Sequence, residues 1–404
     1  MKIIVLLGAF FSTINFLVAS SFEPLFDGKS LSGWHGKNPH KYKKQWGPDK
    51  IKAQFAKEQI DLVEHWSVKD GVICNDGHGP YLTTDNEYGD VEFRLEYKID
   101  AKSDSGIYLR GSPQVQIWDY REEGGAWRHG AKLGSGGLWN NSRGNAGKDP
   151  LMLADSPIGE WNKLFIRQVG ARTWVWLNGQ CVVNAAIMDN YWNRKKPLAK
   201  KGVIHLQTHG APVYWKNVEV RELDVEESNH VLEEMLANEG SEYIFNGRDL
   251  EGWEGSNKGE WIAENGVLSG GKGHLVYKAK EFKDFVLDFQ FQVGAGSNNG
   301  LLVRYPGTGN GSYAGMCELQ VLDDSAEKYN KLDERQYHGS AYGMTAAHRG
   351  YQRQVGEWNY QKVTVVGHTI KVELNGTLIL DTDLSKVKST MADKVHPGKD
   401  LLKG

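Results

Sequence analysis

The residues best suited to chemistry lie in three short stretches of alternating pattern. In SGIYLRG, Ile107 and Leu109 alternate with Tyr108 and Arg110. In QVQIWD, Val115 and Ile117 alternate with Gln114, Gln116 and Trp118, and in VIHLQTHG, Ile204 and Leu206 alternate with His205, Gln207 and His209. A period of two is that of a β-strand with one face in a core. If the three strands share a sheet, its open face shows Tyr108, Arg110, Gln114, Gln116, Trp118, His205, Gln207 and His209. Sandwiches commonly have one solvated face, but such faces usually carry Lys, Glu, Thr and Ser. This stripe holds amides, imidazoles, a guanidinium and aromatic rings, planar groups that hydrogen-bond to sugars and stack on them. The loop WRHGAKLGSGGLWNN adds Trp127, His129 and Trp139, and loops on a rigid sandwich often carry function.

The elements that must position this stripe occur twice. LFDGKSLSGW (Leu25–Trp34) recurs as IFNGRDLEGW (Ile244–Trp253), and WSVKDGVI from Trp66 recurs as WIAENGVL from Trp261. SDSGIYLRG recurs as SNNGLLVRYPG, QVQIWD as ELQVLD, GEWN at Gly159 and Gly356, and VWLNG as VELNG. Blocks in one order, roughly 200 residues apart, mark a repeat too long for a solenoid, so each copy is a whole domain. Within each copy, period-two segments such as Val91–Ile99, Phe285–Val293 and Lys163–Gly170 end in Gly, Asn and Asp turns. Asn-Gly supplies the positive φ of a hairpin. Many short strands per copy predict an all-β chain of two tandem two-sheet sandwiches or jelly rolls. The expected boundaries are 22–223 and 242–404. The segment 224–241 joins them as a short helix, because Val231, Met235 and Leu236 have helical spacing. The second copy has no counterpart of Gly202–Leu223, so either the chain is truncated there, or another segment covers the gap.

Composition supports this and narrows the function. With 404 residues, 40% hydrophobic and 25% charged, the chain is globular and long enough for two cores. Forty-eight Gly and 14 Trp favour an all-β chain. A formal net charge of -3 gives no basic field for nucleic acid. Residues 1–20 read as a signal peptide: Lys2, an apolar run from Ile3 to Val18, then Ala19, Ser20 and Ser21. Ser12, Thr13 and Asn15 interrupt that run, so it is a poor membrane span. The expectation is a periplasmic or secreted protein with no membrane insertion after signal removal. Cys74, Cys181 and Cys317 lie far apart with no CxxC spacing, which argues against a thiolate metal site. Buried free thiols are favoured over one disulfide, for which Cys74 with Cys181 is the candidate pair.

At LFDGKSLSGW, SGIYLRGSPQVQIWD, GGLWNN, GEWNK, VWLNG and HLQTHGAPVYWKNVEVREL, the chain resembles the 3-keto-disaccharide hydrolase domain family, with its concanavalin A-like jelly roll. The resemblance covers nearly all of 22–223 and, less closely, 243–387. It implies cleavage of glycosides already oxidised at C3. The ketone acidifies the C2 proton, a base removes it, the C1 group leaves and water adds to the enone. That route needs one general base and enolate stabilisation, not the paired carboxylates of ordinary glycosidases.

On this resemblance His209 is the expected base, followed by His205 and Asp119. Arg110 and Gln116 are expected to hold the sugar and the enolate oxygen, and Trp118 or Trp139 to stack on the ring. A divalent metal held by His and Asp is a further option for polarising the ketone, although no diagnostic ligand spacing is present. The second copy offers Arg304, Glu318, Gln320 and Asp323, with His338, Tyr342 and His348 beyond them. Its Glu318 matches the commoner family motif, where the first copy has Gln114. Two other readings remain open: a non-catalytic carbohydrate-binding protein on the same scaffold, and an ordinary glycoside hydrolase, for which the first copy shows no carboxylate pair.

Overall fold

The computed structural model describes residues 21–237, 241–256, 261–270, 273–391 and 396. The expected signal peptide lies outside these residues. The chain forms two compact units that meet in sequence at Asp224 and Val225.

The first unit is a two-sheet β-sandwich. The larger sheet runs in the order Gln180–Ile187, Arg172–Leu177, Asn162–Val169, Val91–Ile99, Val213–Glu222, Val72–Asn75, Trp66–Lys69, and Glu23–Pro24 pairs beside Val213–Glu222. The smaller runs Trp34–Gly36, Leu82–Thr84, His205–Leu206, Asp104–Leu109, Ser112–Trp118. Every pairing is antiparallel. The alternating residues pack between the sheets. Phe93, Ile166 and Trp215 from one meet Ile107, Val115 and Leu206 from the other in one apolar core.

Two late segments complete both sheets. Val213–Glu222 lies between Val91–Ile99 and Val72–Asn75, and His205–Leu206 lies between Leu82–Thr84 and Asp104–Leu109. A helix the strand pattern does not foretell, Pro48–His65, starts with Pro in its first turn and buries Glu58 and Leu62. Glu58 accepts from Tyr42 Oη at 2.6 Å, so its burial is compensated by hydrogen bonding.

The second unit repeats the early strands. Phe285–Gln292, Trp358–Val366, Thr369–Leu374 and Thr377–Asp383 form a four-stranded sheet. The remaining strands form three separate pairs: Trp253–Ser256 with His274–Tyr277, Trp261–Glu264 with Val267–Gly270, and Asn298–Val303 with Cys317–Leu322. Helix Val225–Ala237 packs on Trp358–Val366, where Asn229 Nδ2 donates to Trp358 O at 3.2 Å. All three cysteines are free thiols. Among the described residues no helix is long and apolar enough to cross a membrane.

Candidate functional site

The smaller sheet of the first unit builds the site on the face turned away from the core. His205 lies beside Tyr108 on one neighbouring strand and Thr83 on the other, and its Nδ1 is 2.7 Å from Thr83 Oγ1. One step along, Gln207 N donates to Gly106 O at 2.9 Å, and Gly106 pairs with Gln116. Gly106 leaves the room that these amides use. A Cβ there would stand 3.1 Å from Gln207 Oε1 and 3.2 Å from Gln114 Cδ.

At the start of the same strand stands Asp104. Gln116 Nε2 donates to Asp104 Oδ1 at 2.7 Å, and His209 Nδ1 is 3.5 Å from Asp104 Oδ2. The second distance is an ion-pair contact rather than a short hydrogen bond. His209 is the exposed member, with 60% of its side chain accessible against 34% for Asp104. Burial raises the Asp104 pKa, partly opposed by His209, the Gln116 hydrogen bond and the field of His129. A carboxylate so desolvated gains most from a neighbouring imidazolium.

Aromatic groups cover the rest of the face. Tyr108 Oη lies 2.8 Å from His40 Nε2, and the His40 ring is 5.0 Å from Trp192 and 5.9 Å from Tyr191. Tyr81 packs against Tyr108 at 5.4 Å, and its hydroxyl accepts from Gln207 Nε2 at 3.2 Å. Burial raises the Tyr108 and Tyr81 pKa values, keeping both phenols neutral donors. Burial and the charge of His209 lower the pKa of His40.

Tyr108, Gln114, Gln116, Trp118, His205 and Gln207 thus share the expected face, and His209 stands at its edge. The face is not open, however: all six strand residues are buried. Trp118 is sealed with Nε1 donating to Gly134 O at 2.8 Å, and it meets Trp139 edge-on at 5.1 Å. Trp139 is half-buried, with Lys148 Nζ 4.0 Å from its ring centre.

Several expected residues serve other ends. Arg110 leaves the face because its φ of +51° breaks the strand alternation. Its guanidinium is buried and donates to Gly89 O, Ala199 O and Asp90 Oδ1. Arg304 is its counterpart, with φ +50° and bonds to Lys283 O and Gly367 O. Asp119 is not an available base. Burial works against its charge, but Arg121 and the N–H groups of Lys102 and Arg121 prevail and lower its pKa. Asp323 closes a loop in the same way, accepting from Gly296 N and Ser325 N. His338 lies stacked 5.0 Å from Phe291, its Nε2 2.9 Å from Gln361 Oε1, inside the second unit.

Glu318 and Gln320 occupy the places of Gln114 and Gln116. Glu318 pairs with Leu302 and accepts from Ser312 Oγ, and burial raises its pKa. Tyr342 Oη accepts from Gln336 Nε2 at 2.9 Å, and His348 is exposed. Among the described residues no group of three or more His, Cys, Asp or Glu side chains is arranged to hold a metal ion.

The sequence did carry one signal for Asp104: it has the parity of Gly106 and Tyr108, and so their face. His40, in the 3-10 helix Pro39–Lys41, and Tyr191 and Trp192, in a loop, reach the site from segments with no such periodicity.

His205 makes a stability prediction. Burial, with smaller contributions from Lys37, His35 and His40, lowers its pKa to about 3. The unfolded chain takes up this proton near pH 6.5, and the folded one does not until about 3. This contribution to stability is therefore complete above pH 6.5 and is lost as pH falls toward 3, by up to about 1.4 kcal/mol per unit. Denaturant titrations of the wild type and His205→Asn at pH 7 and 4.5 should show a shallower acid loss in the variant. Equal losses would remove His205 as the cause.

Several known proteins are similar to this chain. A curated relative, the 3-keto-disaccharide hydrolase of Bacteroides thetaiotaomicron, is 27% identical over 260 residues, covering 51% of this chain and 80% of the relative. A crystal structure of a presumed glycosyl hydrolase from Parabacteroides distasonis ATCC 8503 is 21% identical, covering 50% of this chain and 95% of that one, with a TM-score of 0.35. Carbohydrate-binding module CBM66 from Bacillus subtilis is 12% identical over 39% of this chain and 91% of its own, with a TM-score of 0.26. The family model for the 3-keto-alpha-glucoside-1,2-lyase-like domain matches residues 21–221 and again residues 240–401, and the chain belongs to that family.

Proposed function

We propose that the first unit cleaves 3-keto-glycosides, and the observation that carries this is the Asp104–His209 pair at the open end of a polar sheet face. His209 is the general base and takes the C2 proton. Asp104, fixed by Gln116, orients the imidazole and stabilises its cation. The electron pair left at C2 moves onto the C3 oxygen, where the neutral Tyr108 hydroxyl beside His40 is the donor. The C1–O bond then breaks with its electrons going to the leaving oxygen. That oxygen takes the proton held by His209. Water adds across the enone, hydroxyl to C1 and proton to C2, which completes a net hydrolysis. The family membership supports this reading, as does the name of the curated relative. An exported location fits the run at Ile3–Val18.

Incubation with a 3-keto-glucoside and with its unoxidised parent tests the proposal. Consumption of the keto compound alone is the expected result. Consumption of the parent would indicate an ordinary glycosidase, and binding without turnover a carbohydrate-binding protein. Binding without turnover has one observation behind it, since Gln114 stands in the first unit where the second has the carboxylate of Glu318.

A further inference from the structure

The polar face of the first unit has two unlike ends. Along Asp104–Leu109 the Asp104–His209 pair stands at the start and Tyr108 near the finish. His40 packs on Tyr108, with Tyr191 and Trp192 against His40, which crowds the Tyr108 end. With C3 of a bound sugar at Tyr108 and C2 at His209, C1 lies on the far side of C2. Its leaving group therefore points toward the Asp104 end. Asp104 pairs across strands with Trp118, so the leaving group meets whatever surrounds that ring.

Those surroundings are rich in apolar side chains. Two consecutive 3-10 turns, Trp127–His129 and Ala131–Leu133, flank Gly130. A Cβ at Gly130 would stand 3.8 Å from Trp118 Cη2 and 3.7 Å from Trp139 Cζ3, so the turns lie against both rings. Gly134 comes next. Its carbonyl accepts from Trp118 Nε1 at 2.8 Å, and a Cβ there would stand 3.0 Å from Leu153 Cδ1. Neighbouring polar groups turn inward: Lys148 Nζ donates to Trp139 O at 2.6 Å, and Asp155 accepts from Ser135 N at 2.9 Å. Large apolar side chains stay outside. Trp127 and Leu133 are 37% and 38% exposed, and Met152 and Leu153 are 46% and 50% exposed. Apolar residues gathered beside a polar site mark a surface for a ligand. A sugar as leaving group would call for hydrogen-bond partners, and leucine side chains offer none.

We infer that this rim is a leaving-group subsite, and that the favoured substrates are 3-keto-glycosides of apolar alcohols. The inference rests on the reading of His209 as base and Tyr108 as donor to the C3 oxygen. An alkyl or aryl aglycone laid along Trp127, Leu133 and Leu153 removes apolar surface from water on both partners. That binding is remote from C2, and it serves to hold C2 against the imidazole.

A series of 3-keto-glucosides of methanol, butanol and octanol tests this on the full chain, with a 3-keto-disaccharide for comparison. The three alcohols have similar acidities, so departure from C1 is equally easy and only the apolar area varies. The ratio kcat/KM should rise at least about tenfold from the methyl to the octyl compound, and the octyl compound should surpass the disaccharide. Trp127→Ala and Leu153→Ser alter exposed side chains, and each should cut the octyl-to-methyl preference severalfold. A flat series with the methyl compound consumed would overturn the subsite and leave the proposed function standing. Consumption of no keto compound would remove that function and the subsite together. A preference untouched by both variants would also overturn the subsite. So would a homodimer, or binding to phosphatidylglycerol vesicles, that Leu153→Ser abolishes while the octyl preference persists.

Discussion

Replacing Asp104 with Asn lowers turnover of a 3-keto-glucoside by roughly 100-fold or more while leaving the fold intact. The amide has nearly the size of the carboxylate and still offers an oxygen to Gln116 Nε2, so the sheet has no cause to rearrange. What disappears is the negative charge 3.5 Å from His209, which orients the ring and stabilises the imidazolium formed on proton abstraction. His209→Ala should cost a similar factor. The double variant should be little worse than either single one, because residues that act as a unit are not additive. The pH profile gives a second readout. The proposed route requires ionised Asp104, and burial raises its pKa. The rate should therefore fall on acidification at a pH above the ordinary carboxylate range, and the Asn variant should lack that limb. An unchanged kcat, or fully multiplicative single effects, would break the pair apart. The second unit has Asn298 at the matching position, so its own chemistry cannot follow this route.

The sandwich was legible because one signal, period two, fixes both strand identity and facing side chain. It placed Tyr108, Gln116, His205 and Gln207 on one face without any knowledge of pairing. It failed where the backbone leaves the strand region. Arg110 occupies the expected parity, yet its positive φ turns the side chain away to cap loop carbonyls. It also fails at Asp104, because the alternating stretch SGIYLRG begins one residue after the strand's first residue. The aromatic cover was beyond its reach, because His40 meets Tyr108, and Trp192 meets His40, from segments far apart in sequence that carry no strand period. Helix Pro48–His65 escaped for a different reason. It leaves Ile60 and Val63 exposed, so its apolar residues do not form one stripe that periodicity would detect.

Arg110→Ala destabilises the first unit by about 3–5 kcal/mol, the usual cost of removing one partner from a buried ion pair. The guanidinium side chain is only 3% exposed. It donates to Gly89 O at 2.9 Å, Ala199 O at 3.1 Å and Asp90 Oδ1 at 2.8 Å. Asp90 in turn accepts from Gly170 N at 2.8 Å, so one side chain ties three connections together. Truncation would leave carbonyls without their donor and a carboxylate without its counter-charge. The repeat provides an internal control. Arg304 and Asp284 make the same clamp, with Gly367 N donating to Asp284 at 2.8 Å. Calorimetry of Arg110→Ala and Arg304→Ala should lower the transition of the first and second unit respectively. A clamp duplicated in two units of which only one carries the Asp104–His209 pair belongs to the scaffold, because a substrate contact would have no reason to persist beside Asn298. If Arg110→Ala instead raised KM with both transitions unmoved, Arg110 would return to the substrate, and the sheet face would have to open far enough to expose it.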